Sequence, residues 1–172
     1  AYFTAGSSGV ELRLKDFQRG TDTIVAAETS VNRGFPVISL DGQRIAFSRI
    51  VPGPPVRRPV LVANLADGTS RLVFDDCGGR PRVWLDDDRL LAETFGSGLN
   101  SFVVLDTRNA TQRPLLSSVD RRLWNPRLSP DARWLAFDAT LPGGSPSVFV
   151  ARIDSDQAAR ESEWLRIDQN AS

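Results

Sequence analysis

Apolar and polar side chains alternate along this chain in short runs rather than in broad stripes. Val10, Leu12 and Leu14 are interleaved with Glu11, Arg13 and Lys15, the period-two pattern of a strand with one face buried. Tyr2 to Thr4, Arg44 to Ser48, Val60 to Leu65, Arg71 to Phe74, Arg89 to Glu93, Ser101 to Leu105, Val148 to Ile153 and Trp164 to Ile167 also read as strands. Gly20-Thr21 and Asp67-Gly68 punctuate the runs as turns, the second being a strong hairpin signal. Arg49 to Pro59 is rich in proline and reads as an extended connector, since proline cannot donate to a ladder. No segment sustains a 3.6-residue apolar stripe, so helix content is expected to be close to nil. The polar stretch Asp154 to Glu163 is expected to be a long hairpin loop.

The runs repeat. Pro36, Pro81 and Pro126 lie 45 residues apart, as do Asp41, Asp86 and Asp131, and Ile45, Leu90 and Leu135. No gap is needed between the proline and the end of the second strand. Four short strands in ~45 residues, repeated at fixed spacing, predict four-stranded antiparallel blades packed radially in a β-propeller. The expected fold class is therefore all-β, with 1–172 a single propeller region. A partial blade covers 1–30, and three fuller ones cover 36–75, 81–117 and 126–168. In the partial blade Tyr2-Phe3 is expected to stand where Ala46-Phe47 stands, 44 residues on, which leaves its first strand missing. About 3.75 blades imply open edges that invite aggregation. The chain is accordingly expected to be a piece of a six- to eight-bladed propeller, with closure as a four-bladed ring the alternative.

At Leu128-Ser129-Pro130-Asp131-Ala132-Arg133-Trp134-Leu135-Ala136-Phe137 the chain resembles the TolB-type, WD-like propeller repeat, roughly Pro-x-Trp-Ser-Pro-Asp-Gly-Lys-x-Ile-Ala-Phe. Ala132 replaces the usual Gly and Leu128 the usual aromatic. Ile38 to Phe47 keeps Gly42 but has Leu40 in place of the turn proline, and Trp84-Leu85-Asp86-Asp87 keeps only the aspartate. The resemblance implies a non-catalytic scaffold binding other proteins through its loop faces, outside the cytoplasm. Its alternatives are the propeller of a larger prolyl-oligopeptidase-like peptidase and the sensor module of a bacterial regulator or kinase. Asp41, Asp86 and Asp131, with Pro130 and Gly42, are assigned to turn structure: proline presets φ, aspartate caps the backbone, and glycine accepts a left-handed conformation.

Composition narrows the chemistry. Histidine is absent and Cys77 is the only cysteine, which excludes Ser-His-Asp, Cys-His and histidine-zinc sites and an internal disulfide within this chain. Twenty-one basic residues balance 21 acidic ones, so no basic excess points to nucleic acid. No apolar run of ~18 residues suggests a membrane span. Asp86-Asp87-Asp88 lacks the alternation of an EF-hand loop, and Gly96-Ser97-Gly98 and Gly143-Gly144-Ser145 lack a strand-to-helix context for phosphate. No catalysis, metal or cofactor is expected. The loops joining second to third strands, and one blade to the next, should emerge together and carry arginines. Arg57-Arg58 and Arg121-Arg122, with Trp124 beside the second pair, are the candidate contacts for an acidic protein partner, because guanidinium forks bind carboxylates well. The opposite face is expected to be acidic with few arginines.

Overall fold

The short runs pair with their sequence neighbours because tight turns lay consecutive strands side by side, where their backbone N–H and C=O groups meet. The computed structural model describes residues 1–6, 9–28, 36–75, 78–94, 100–141, 143–154, 157–158 and 160–168. The first sheet holds β1 (Tyr2–Gly6), β2 (Gly9–Asp16) and β3 (Thr21–Glu28). The second holds β4 (Val37–Ile38), β5 (Arg44–Ser48), β6 (Val60–Asn64) and β7 (Ser70–Phe74), and the third β8 (Gly79–Trp84), β9 (Arg89–Thr94), β10 (Ser101–Asp106) and β11 (Thr111–Leu116). The fourth contains β12 (Arg122–Leu128), β13 (Trp134–Thr140), β14 (Ser147–Asp154), β15 (Gln157–Ala158) and β16 (Leu165–Arg166). All pairings are antiparallel between neighbours in sequence, except that β16 passes β15 to pair with β14. The stretch expected to be a plain hairpin loop thus contains β15 and a 3₁₀ turn at Glu161–Glu163.

The sheets stack face to face in chain order, and a separate core fills each gap. Leu12 of the first sheet meets Ile45, Phe47, Leu61 and Ala63 of the second. Ala46, Val60 and Val62 on the other side of the second sheet meet Trp84, Leu90, Ala92, Val103 and Leu105 of the third. Leu91, Phe102 and Val104 then meet Leu123, Leu135, Phe137, Phe149 and Trp164 of the fourth. We call the side toward the preceding sheet the leading face and the other the trailing face. Ile45, Leu90 and Leu135 are all fully buried, each on its leading face, so residues one period apart occupy equivalent surroundings. In the last core Phe137 lies edge-on to Phe102 and Trp164 at 5.8 and 4.9 Å, the offset geometry aromatic rings prefer.

Two details depart from expectation. Phe3 sits opposite Leu12 and packs toward the second sheet, whereas Phe47 faces the first. In a strand a one-residue slip exchanges the faces; Phe3 pairs with Leu12, which holds the bulge position that Val60, the partner of Ser48, holds in the second sheet, so Phe3 corresponds to Ser48 and the offset is one more than expected, the 45-residue period itself. In the third sheet Trp84, not Val83, pairs with Leu90, and a bulge between Pro81 and Val83 absorbs the difference. The first-strand register is therefore not gap-free. Trp84 and Trp164 are buried in the cores, whereas Trp134 lies on the trailing face of the fourth sheet and is 37% exposed.

The hairpin turns explain themselves locally. The Ser39 and Ser129 hydroxyls donate to Asp41 and Asp131, whose Oδ1 atoms accept the N–H groups of Gln43 and Arg133 at 3.0 and 3.2 Å. Asp86 accepts the N–H groups of Asp88 and Arg89 at 2.9 and 2.8 Å. Gly42 and Ala132 donate to the carbonyls of Ser39 and Ser129, both at 2.9 Å, with φ of 70° and 57°. Pro130 precedes Asp131 at the exposed tip of its turn. An L-side chain in this left-handed region costs about 1–2 kcal/mol, partly offset in glycine by its larger entropy loss. Ala132→Gly should therefore raise stability by about 0.5–1 kcal/mol and Tm by about 1–4 °C, read by urea and thermal unfolding.

Hydrogen bonds from the serine hydroxyl, and then from the backbone, hold Asp41 and Asp131 below the ordinary carboxylate range. A depressed native carboxylate adds stability above its unfolded pKa and loses it as pH falls through the native one. The stability gap between wild type and Asp131→Asn should thus close as pH drops from about 5 to about 2. A gap that stays constant across that range would remove the carboxylate from the account.

Candidate functional site

Antiparallel pairing sends the connections β5–β6, β7–β8 and β11–β12 to one edge of the stack, and that edge carries arginines. Arg57 directs Nη1 at both oxygens of Asp75, at 3.2 and 3.1 Å, and both side chains are about half exposed. Arg58 is half-buried, and its carbonyl accepts the Gly79 N–H at 3.3 Å. Arg121 donates Nε to Glu161 at 2.9 Å and lies over the Phe149 ring at 5.3 Å. Arg122 opens β12 and is exposed, and half-buried Trp124 stands opposite Asp138. The fold therefore brings the two arginine pairs to the same edge on different sheets. One member of each pair already holds a carboxylate of its own chain.

The opposite edge is not the arginine-poor acidic surface expected. Asp88 receives Arg108 at 2.7 Å and Arg44 at 3.8 Å, Asp86 receives Arg89, and Asp41 receives Arg44 at 3.3 Å. Burial raises the pKa of Asp86, but its backbone N–H donors and Arg89 outweigh this and leave it below the ordinary range. Arg89 and Arg44 reach back three residues within their own turns, while Asp88 draws its arginines from one sheet before and one hairpin on, which a count of loop residues does not reveal. Among the described residues no group of three or more Asp, Glu or Cys is placed to hold a metal ion. Cys77 and Gly96-Ser97-Gly98 lie outside the described residues.

A second arrangement lies where the innermost strands β8 and β12 adjoin. Glu93 is fully buried at the trailing face of β9, and Arg82, 5% exposed, donates Nε to its Oε2 at 3.0 Å together with a second bond from Nη2. The other oxygen accepts the Asn125 N–H of the next sheet at 3.3 Å. Asn125 has φ of 49°, a conformation asparagine adopts more readily than most, and its Nδ2 donates to Asp138 at 2.9 Å. Arg82, Val83 and Asn125 to Leu128 line an open cleft of about 400 Å³ beside this network. Desolvation lowers the pKa of neighbouring Arg80, with Glu93 opposing it and Arg58 and Arg82 adding to it. Sequence reasoning assigned no role to Arg82, Glu93 or Asn125. The signal was there: Ser48, Glu93 and Asp138 are spaced by the period, and Glu93 ends an otherwise apolar strand.

Antiparallel sheets of three to five strands, stacked in series with a core in each gap, have counterparts among known architectures. TolB from Acinetobacter baumannii superposes over 91% of this chain and 38% of its own, with a TM-score of 0.75 and 18% identity. The fold is that of a TolB-type β-propeller. A putative TolB from Agrobacterium tumefaciens matches over 82% of this chain and 50% of its own (TM-score 0.65, 20% identity). The propeller domain of the Trilobed protease from Pyrococcus furiosus, described as having an open velcro topology, matches over 91% and 51% (TM-score 0.63, 14% identity). This chain thus spans between about two fifths and half of those propeller-bearing chains. No family model matches it, and no curated protein does. Among the described residues no helix is long and apolar enough to cross a membrane.

In this propeller the Arg82–Glu93 pair ties two strands of one blade and touches the next. Removing one partner of a buried pair strands a charge and costs about 3–5 kcal/mol, whereas replacing both with apolar groups is often near neutral. Glu93→Leu should therefore destabilise by about 3–5 kcal/mol in urea unfolding, and Arg82→Met/Glu93→Leu should recover most of it. Equal losses in the single and double variants would show that the pairing itself is not what matters.

Proposed function

We propose that this propeller region, 1–172, is a non-catalytic module that binds an acidic protein partner through its arginine-bearing edge. The observation that carries this reading is the gathering of Arg57, Arg58, Arg121 and Arg122 at one edge, with Arg122 exposed beside Trp124. Arginine forks and an adjacent indole are the side chains that anchor interfaces best. The ion pairs Arg57–Asp75 and Arg121–Glu161 are partly exposed, so a partner's carboxylates compete with them at little expense. We place the module outside the cytoplasm, as the TolB resemblance implies, with no nucleic acid or cofactor required.

A second reading is favoured by the likeness to the protease propeller: the blades belong to a larger peptidase and filter access to a hydrolase domain. A parent reading frame with an α/β-hydrolase segment would support that alternative.

The test is retention on an immobilised polyglutamate peptide. Wild type should be held at low salt and released near 0.15 M, where screening acts over about 8 Å. Arg58→Glu/Arg122→Glu should not be held, while Arg108→Glu, on the opposite edge, should behave as wild type. Retention unaffected by the edge double variant would reject the assignment.

A further inference from the structure

The connector from β5 to β6, on the arginine-bearing edge, is not a slack loop. The Arg49 N–H donates to the Pro59 carbonyl at 3.2 Å, and Val51 and Arg57 exchange backbone hydrogen bonds at 2.9 and 3.1 Å. The hairpin therefore continues beyond the sheet as a narrow arm. Arg57 ties the base of that arm to Asp75 through two bonds. Pro52 to Val56 form the tip and are all exposed, Val56 by 47%. Three of those five residues are proline, each with φ already set. The tip thus has little backbone freedom left to lose when something binds it.

The connector from β11 to β12 presents an apolar side chain by other means. The Ser118 hydroxyl oxygen accepts the N–H groups of Asp120 and Arg121 at 3.3 and 3.0 Å. These bonds close a tight turn that leaves Val119 93% exposed. Arg121 holds the turn down through Glu161 and the Phe149 ring. One valine in solvent at a loop tip is common and needs no explanation. Here two hydrogen-bonded loops on one edge each set a valine beside an arginine pair. Val56 directly precedes Arg57-Arg58, and Val119 lies two residues before Arg121-Arg122. Interfaces draw affinity from apolar anchors and orientation from the charges around them.

We propose, building on the acidic-partner reading, that the segment this edge binds carries aromatic side chains among its carboxylates. The carboxylates meet the arginines, and the aromatic rings pack on the proline tip and on Val119. Proline rings offer flat apolar faces of the kind that aromatic side chains cover in proline-rich recognition. A purely acidic ligand would leave Pro54, Pro55, Val56 and Val119 in water and gain nothing from them.

The probes are an immobilised random copolymer of glutamate and tyrosine and an immobilised polyglutamate of equal length. Wild type should bind the copolymer about three- to tenfold more tightly, the scale of one or two apolar anchors, and leave it at higher salt. Pro55→Ser/Val56→Ser and Val119→Ser should each lose part of that preference. The variant carrying all three changes should bind the two polymers equally, with polyglutamate affinity and circular dichroism as in wild type. Arg58→Glu/Arg122→Glu should bind neither polymer. Equal affinity of wild type for both polymers overturns the aromatic assignment and leaves the acidic-partner reading standing. So does a preference for the copolymer that survives unchanged in the triple variant. Wild type binding to neither polymer rejects both together.

Discussion

The constraint on which the rest of the molecule depends is that a short antiparallel sheet has two faces and must bury both. A sandwich solves this with one shared core. Here each sheet lends its leading face to one neighbour and its trailing face to the next, so apolar residues appear on both sides of β5, β6, β9 and β10. That is why Ile45 and Ala46, adjacent in sequence, lie in different cores. The period follows directly, since the same problem is solved by the same spacing each time.

Trp84 and Glu93 enter the gaps between sheets with their hydrogen bonds met there. Trp84 fills a core with its ring while its Nε1 donates to the Val37 carbonyl across the gap at 3.1 Å. Glu93 is tolerated at full burial because Arg82 and a backbone N–H of the next sheet share its two oxygens. These bonds run between sheets as well as within them, so they fix how far each blade is rotated against its neighbour, which greasy contacts alone do not.

How much of this was legible beforehand varied with the range of the interaction. Ile45, Leu90 and Leu135 could be read from spacing alone, because strand periodicity and turn chemistry are local. Phe3 was placed one residue off, since nothing local distinguishes the two faces of an isolated strand, and only contact with the second sheet decides. Trp84 was shifted by a bulge that the sequence around Pro81 does not announce. The charged edges were the hardest. Asp88 is paired by Arg44 from the sheet before and Arg108 from the hairpin beside it, and such partners follow from the stacking, not from proximity in the chain. The same holds for Arg82 with Glu93, separated by a hairpin and hidden in a run that reads as ordinary strand.

Three cores in series rather than one in common have a consequence for how the molecule opens. Each sheet answers chiefly to its immediate neighbours, so the free energy of local unfolding should vary along the stack as in a one-dimensional array. The second and third sheets are clasped from both sides, and the first and fourth from one. Slow amide exchange should therefore peak in β5, β6, β9 and β10 and fade outward.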